Sequence, residues 1–227
     1  MSALDVAAKL KPPEVLERMS LAIAALDVVM SSDRSMRYFN FDPTWSASER
    51  MASMRDGSGN SYAIIFGPLG CVVRGFDHES TLSPWGLANG SIAEGLLDGF
   101  PDQLRSVIDD PEFRTPGGPT TDLTFCAWRL ADDNDWAAGS IEDVDGSAEW
   151  LFEVLLDGTP DGYLRFAADY YEQQLPRDSV AAFYNLNPAD SALILAIAPD
   201  SDIVAVLADL HTLGYPVCAC QAEADQP

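Results

Sequence analysis

The chain has 227 residues, of which 47% are hydrophobic and 10% aromatic, so it is long and apolar enough to fold around a substantial core. Its 36 Asp and Glu residues outnumber 13 Lys and Arg residues, which gives a net charge of −23. This charge argues against direct binding of nucleic acid, which needs a cationic surface, and against binding to an anionic membrane.

The first predicted helix begins at Pro13, because proline suits the first helical position and Glu14 suits the first turn. Apolar residues then recur at helical spacing up to Met30. A short aromatic strand is predicted over residues 36–41. One or two helical turns are predicted to begin at Ser48.

The clearest local unit is a predicted β-hairpin. Residues 62–66 and 71–76 are apolar and rich in strand-forming side chains, and Gly67-Pro68-Leu69-Gly70 separates them. Both strands are almost continuously apolar, which is typical of a sheet that is covered on both faces.

The rest of the chain alternates short helices with one further strand at residues 123–130. The segment from Thr115 to Pro119, rich in proline and glycine, predicts a linker. Ser147 is predicted to cap a helix, and Thr159 with Pro160 to begin the next. Further helices are predicted over residues 92–97, 101–109, 179–184 and 202–213, with an ambiguous apolar run at 192–198 and a last strand at 215–220.

Together these elements predict a single α+β domain with a mixed or antiparallel sheet built around the hairpin and helices packed on it. A division into two lobes, residues 1–114 and 120–227, is the alternative arrangement. The acidity is uneven, because residues 1–120 carry a net charge of −6 and residues 121–227 a net charge of −17.

The compartment is predicted from the N-terminus and the cysteines. No apolar block of signal-peptide type follows Lys9 and Lys11, and no run is long enough to span a membrane, so we expect a cytoplasmic protein. We expect all four cysteines to be reduced, with two of them buried in strands. They are Cys71, Cys126, Cys218 and Cys220. The chain has no phosphate-binding glycine motif, and no cofactor is predicted.

One cluster brings a rare titratable residue together with carboxylates. His78 lies between Asp77 and Glu79 just after a predicted strand, where it would serve as a general base or a metal ligand. The only other histidine is His211, in a predicted helix, so a site with several histidines cannot form. The favoured interpretation is a structural network at the strand end, with His78 bonded to nearby backbone.

A second cluster is strongly acidic. Six carboxylates occur within fourteen residues, and Trp128, Trp136 and Trp150 flank them. They are Asp132, Asp133, Asp135, Glu142, Asp143 and Asp145. Such a surface is simply solvated, or suited to a basic partner, or suited to multivalent metal ions. The tryptophans favour the basic partner, because they supply the anchoring area that interfaces commonly use.

Two segments of the sequence resemble segments of other proteins. Met51-Ala52-Ser53-Met54-Arg55-Asp56-Gly57-Ser58-Gly59-Asn60 and Gly75-Phe76-Asp77-His78-Glu79-Ser80 resemble those of a group of uncharacterised bacterial cytosolic proteins of similar length. The resemblance carries over no functional residue. In size and acidity the chain is also similar in kind to immunity proteins that neutralise polymorphic toxins.

The leading hypothesis is therefore a binding protein of the immunity type, whose acidic segment and Trp136 contact a basic protein such as a toxin domain. The alternative is a hydrolase or metal-dependent enzyme centred on Asp77, His78 and Glu79. A third interpretation is a scaffold without a ligand.

Overall fold

The computed structural model describes residues 2–118, 120–141 and 146–218. The strands in these ranges are β1 (Phe39–Asp42), β2 (Arg50–Arg55), β3 (Ser61–Gly67), β4 (Gly70–Phe76), β5 (Phe125–Leu130) and β6 (Ala137–Ala138). They form one antiparallel sheet in which every strand pairs with its neighbours in the chain, in the order β1 to β6. The predicted α+β fold with an antiparallel sheet is confirmed.

The predicted hairpin is formed by β3 and β4. Gly67 pairs with Gly70, so Pro68 and Leu69 alone connect the two strands. Gly70 has a φ of 151°, and a Cβ at this position would overlap the carbonyl oxygen of Arg129 on β5. Glycine is therefore required where the hairpin meets the next strand.

Side chains alternate between the two faces of the sheet, and both faces are covered. Tyr62, Ile64 and Phe66 of β3 point into a larger core, whereas Ala63 and Ile65 point into a smaller one. The prediction that the sheet is covered on both sides is therefore confirmed.

Helices cover the larger core. In the described ranges the α-helices are α1 (Ala3–Ala7), α2 (Pro13–Met30), α3 (Arg105–Asp109), α4 (Ser147–Leu151), α5 (Glu153–Asp157), α6 (Pro160–Tyr170), α7 (Arg177–Tyr184), α8 (Ser191–Ile197) and α9 (Ile203–Leu213). Of these, α3 lies on the opposite face, where Val107 and Ile108 enter the smaller core. None of the helices in these ranges is long and apolar enough to cross a membrane.

The long helix α2 begins at Pro13, as predicted, and is the central helix of the larger core. Its residues 22–29 are all buried, including Asp27. The Asp27 carboxylate accepts hydrogen bonds from the Phe39 backbone N–H at 2.7 Å and the Tyr163 hydroxyl at 2.7 Å. This carboxylate thus joins α2 to β1 and α6 through hydrogen bonds in the protein interior.

Residues 77–124 run between β4 and β5 and form a second layer over the sheet. Leu96, Ile108 and Leu123 are the largest fully buried side chains that this segment contributes to the smaller core. Arg74 of β4 holds this layer, because its guanidinium donates to the carbonyl oxygen of Val107 and to the hydroxyl of Thr121, each at 2.9 Å.

The predicted linker at residues 115–119 lies in this second layer, with Pro119 outside the described residues. β4 precedes the linker and β5 follows it, and the two strands are direct neighbours in the sheet. Both sides of the linker therefore contribute to one sheet.

One predicted helical segment is a strand instead. The helical turns expected from Ser48 are absent, and Arg50–Arg55 is instead strand β2, paired on both sides. Its residues Arg, Met, Ala and Ser are ordinary in helices and carry no strand signal. Pairing with β1 and β3 overrides that preference, with Ala52 and Met54 buried in the larger core.

Other differences are smaller. Residues 92–97 form turns instead of a helix, and residues 36–41 become a strand only from Phe39, after a short 3-10 helix. The ambiguous apolar run at residues 192–198 lies mostly in α8. Ser147, which was predicted to cap a helix, is the first residue of α4, and Gly146 precedes it with a φ of 75°. Instead of a last strand, the described residues show a single bridge between Ala189 and Val217.

Candidate functional site

The acidic segment lies where β5 turns into β6. Asp132, Asp133 and Asp135 are exposed, whereas Glu142, Asp143 and Asp145 lie outside the described residues. Asp133 shapes the turn, because its carboxylate accepts from the Leu130 N–H and its carbonyl accepts from Arg129. Across the described chain, Asp132 and Asp135 make neither hydrogen bonds nor ion pairs through their side chains. Two carboxylates are therefore available on this turn.

The three tryptophans near this segment have different environments. Trp128 is buried in the smaller core. Trp136 is half-buried, and its indole N–H donates to the carbonyl oxygen of Lys11 at 3.0 Å. Only Trp150 is substantially exposed, at 41%. Trp136, the tryptophan predicted to contact the partner, is thus partly enclosed and bonded within the protein.

Trp150 lies at the other end of the sheet. The acidic turn follows Leu130, which pairs with Gly70, whereas the Trp150 indole N–H donates to Asp77, just beyond the end of β4, at 3.1 Å. The acidic turn and Trp150 therefore lie at opposite ends of β4. At the usual rise per strand residue, the length of β4 is roughly 20 Å. The acidic turn and Trp150 are two distinct surfaces.

The structure gives Asp77, His78 and Glu79 separate surroundings. Asp77 is buried, and its carboxylate accepts from the Glu79 N–H at 2.9 Å as well as from Trp150. His78 is exposed, and its Nδ1 lies 2.8 Å from Oδ1 of Asn60. The expected network at the strand end is thus present around Asp77, with His78 bonded to a side chain instead of backbone.

No hydrogen bond joins any two of these three side chains in the described chain. The described residues also contain no group of three or more His, Cys, Asp and Glu side chains placed to hold a metal ion. The enzyme interpretation therefore gains no geometric support from the strand end.

A cleft of about 150 Å³ opens beside Trp150. Tyr38, Trp150 and Phe166 contribute aromatic walls, and the Tyr38 and Phe166 ring centroids lie 4.8 Å apart. The exposed residues Glu153 and Asp169 also line it. Neither carboxylate makes an ion pair or a side-chain hydrogen bond within the described residues. The cleft thus combines aromatic faces with two unpaired negative charges.

The distribution of ion pairs adds to this negative character. All 13 Lys and Arg residues lie in the described ranges, and eight of them form ion pairs there. Arg165, the one cation lining the cleft, is paired with Asp157 at 2.6 Å. Most of the positive charge is thus engaged in ion pairs within the protein, and most of the carboxylates in the described ranges have no cationic partner there.

The cysteines that can be placed are free thiols. Cys71 and Cys126 are buried in β4 and β5, as predicted, whereas Cys218 is exposed. Burial raises the pKa of Cys126 to about 12, so its thiolate does not form at neutral pH. Cys220 lies outside the described residues.

No protein-family model, curated protein or solved structure matches this chain.

Sequence reasoning did not find the aromatic cleft. Its walls come from Tyr38 and β1, from β3, and from the helices α4, α5 and α6. No single stretch of sequence shows that Tyr38 and Phe166 meet. The signal in the sequence is the shared aromatic face of the helix that begins at Pro160, on which Tyr163, Phe166 and Tyr170 lie.

Proposed function

We propose that the protein binds a basic protein partner, in the manner of an immunity protein that neutralises a toxin. The observation that carries this proposal is the cleft beside Trp150, where exposed aromatic surface and unpaired carboxylates occur together in a chain of net charge −23. Interfaces with basic proteins combine these two features, because charge selects the partner and aromatic contact area supplies affinity.

The aromatic residues of the cleft, and not the acidic turn, are assigned the larger share of binding energy. Solvated carboxylates such as Asp132 and Asp135 each contribute about 0–1 kcal/mol when they form an ion pair, since water competes for both charges. A tryptophan buried at an interface contributes more, and truncating such a residue costs about 2 kcal/mol or more. The acidic turn is assigned to electrostatic steering, which raises the association rate.

A lysine or arginine side chain is the expected group in the cleft. Its cationic head would lie against the faces of Tyr38 and Phe166, while Glu153 and Asp169 would supply opposite charge. A cation over an aromatic face gains about 0.5–2 kcal/mol, depending on how far it is removed from water.

The test uses two tryptophans as a matched pair. Trp85 is 50% exposed, and its indole N–H donates to Asp122 at 2.9 Å, so it resembles Trp150 in exposure and in its carboxylate partner. Trp85 lies in the second layer, away from the cleft. Tagged wild type, Trp150→Ala and Trp85→Ala are used to isolate partners from the native cell after cross-linking, with mass spectrometry as the readout.

We expect the wild type and Trp85→Ala to capture the same strongly basic protein, and Trp150→Ala to lose it. The affinity for the purified partner should fall by roughly 30-fold in Trp150→Ala, which corresponds to about 2 kcal/mol. A captured partner that is acidic, or equal losses from the two tryptophan variants, would contradict the proposal.

A further inference from the structure

A second cavity, of about 370 Å³, lies on the opposite face of the sheet from the aromatic cleft. Its floor is formed by β2, β3 and β4, and residues 112–116 of the second layer form its wall. Its volume falls at the small end of the range for pockets that bind small molecules. The two segments that resemble bacterial proteins, residues 51–60 and 75–80, both line the cavity, through residues such as Ser53, Asn60 and Phe76.

Three of the chain's 13 cationic residues line this one cavity, namely Arg55, Arg74 and Arg114. This concentration is unexpected in a chain with a net charge of −23. Arg74 is 3% exposed, whereas Arg55 and Arg114 are exposed at the rim. The cavity therefore has one buried cation at its floor and two cations at its entrance.

The two carboxylates that line the cavity are already engaged. Both oxygens of Asp122 accept hydrogen bonds, one from the Trp85 indole and the other from the Thr115 N–H and hydroxyl. Glu112 lies 4.0 Å from Arg55 in a loose ion pair. Within the described chain, neither Arg74 nor Arg114 has a carboxylate within ion-pair distance. Among the residues that line the cavity, three cations and two anions leave a net charge of +1.

Arg74 retains hydrogen-bonding capacity. Three of its five N–H groups donate to Val107 O, Thr121 Oγ1 and Asp122 O, each at 2.9 Å. The other two have no acceptor among the described residues. The guanidinium carbon lies 4.0 Å above the ring of Phe113, so an aromatic wall adjoins the cation. A buried cation without an anionic partner is costly, and an anion bound beside it would offset that cost.

We propose that this cavity binds a small organic carboxylate, with the carboxylate between Arg74 and Arg114 and an apolar body against Phe113. A carboxylate matches the planar donors of a guanidinium. A local charge near +1 suits a singly charged ligand better than a phosphate, which carries more charge. The overall negative charge of the chain opposes anion binding at long range, but salt screens that repulsion beyond about 8 Å, while contacts inside the cavity remain. This inference does not depend on the proposed protein partner.

The test compares benzoate with benzamide, which share an aromatic ring but differ in charge. Each is titrated into the full chain and followed by two-dimensional NMR of backbone amides. Arg114→Gln is the test variant, because this side chain is exposed and has no partner within the described residues. Arg105→Gln is the control, since Arg105 is also exposed but lies on α3 outside the cavity lining. Arg74 itself is avoided because it holds the second layer on the sheet.

We expect benzoate to give saturable shifts that cluster in β2–β4 and residues 112–116, with benzamide at least about tenfold weaker, the loss expected for one charge-assisted hydrogen bond. Arg114→Gln should weaken benzoate binding by a similar factor, and Arg105→Gln should leave it unchanged. Equal binding of benzoate and benzamide would overturn the proposal. So would equal effects of the two variants, or the absence of saturable shifts up to the solubility limit of benzoate.

Discussion

The buried carboxylate of Asp27 predicts an unusual dependence of stability on pH. Its Oδ2 accepts from the N–H groups of Tyr38 and Phe39, at 2.9 and 2.7 Å, and its Oδ1 accepts from the Tyr163 hydroxyl. In Asp27→Asn, the amide oxygen can accept from both N–H groups and the amide nitrogen can donate to Tyr163. The substitution therefore removes the titratable group while it preserves the hydrogen-bonding partners.

The magnitude follows from the pKa of Asp27. Burial raises this pKa from 3.8 to about 6, although the hydrogen bonds from Phe39 and Tyr163 act in the opposite direction. Between these two values the folded protein binds a proton that the unfolded chain releases. The resulting stabilisation is fully present below pH 3.8 and is lost as the pH rises through about 6. A shift of about two pKa units corresponds to about 3 kcal/mol in the free energy of unfolding.

Urea unfolding of the wild type and of Asp27→Asn, followed by tryptophan fluorescence over about pH 4 to 8, measures this effect. We expect the wild type to lose about 2 kcal/mol relative to the variant across this range, mostly below pH 6, because Asp27 of the unfolded chain is already partly protonated at pH 4. The difference between the free energies of unfolding of the two proteins excludes the contribution of the other carboxylates, which both proteins share.

Asp209→Asn provides a control of opposite sign. Hydrogen bonds and charge from Arg34 and Arg37 lower the pKa of Asp209, so its stabilisation is present above the pKa of the unfolded chain and is lost as the pH falls. Parallel pH profiles for the wild type and Asp27→Asn would refute the assignment of a raised pKa to Asp27.

Three further predictions concern other parts of the molecule. A Cβ at Gly139 would overlap the carbonyl oxygens of Gly95 and Leu96, so Gly139→Ala should cost about 3 kcal/mol or more in urea unfolding. Gly57→Ala should cost only about 1 kcal/mol, because its φ of 76° is unfavourable for alanine but nothing lies within 4 Å of the new Cβ; equal costs would contradict this. Alkylation followed by intact-mass measurement should label Cys218 in the native protein and the thiols of β4 and β5 only after unfolding, and early labelling of either strand thiol would show that it is accessible. Replacing the six carboxylates of the acidic segment with Asn or Gln should slow association with the basic partner at low salt but not at high salt, as measured by stopped-flow mixing; unchanged rates at low salt would exclude steering by this segment.

Local signals in the sequence predicted much of the fold. The hairpin followed from two apolar runs around Gly67 and Gly70, and α2 followed from Pro13 and helical periodicity. In both cases the turn residues, the apolar pattern and the observed packing agree. Strand β2 was missed because its residues have no strand preference, and its structure depends on partners at both edges.

The candidate sites depend on contacts that sequence order does not reveal. Trp150 lies close to the acidic segment in the chain, yet β4 and β5 place it at the opposite end of the sheet, beside Asp77. Arg74 was not singled out, because an arginine in an apolar strand has no local pattern that marks it as the floor of a cavity. Its partners Val107 and Thr121 are more than thirty residues away in the chain.

The connection between β4 and β5 has a consequence for hydrogen exchange. Residues 77–124 leave the sheet and return to it, but the two strands they connect are hydrogen-bonded directly to each other. The part of the second layer that follows Ser80 can therefore detach without breaking any of the strand pairs, whereas Asp77 and Ser80 remain bonded to Trp150 and Ser147 of α4. We expect two classes of protected amides, with those of α3 exchanging through a partial opening and those of β3 and α2 only through global unfolding. Detachment would remove the wall of the arginine-lined cavity, so a ligand in that cavity should slow exchange in the second layer alone.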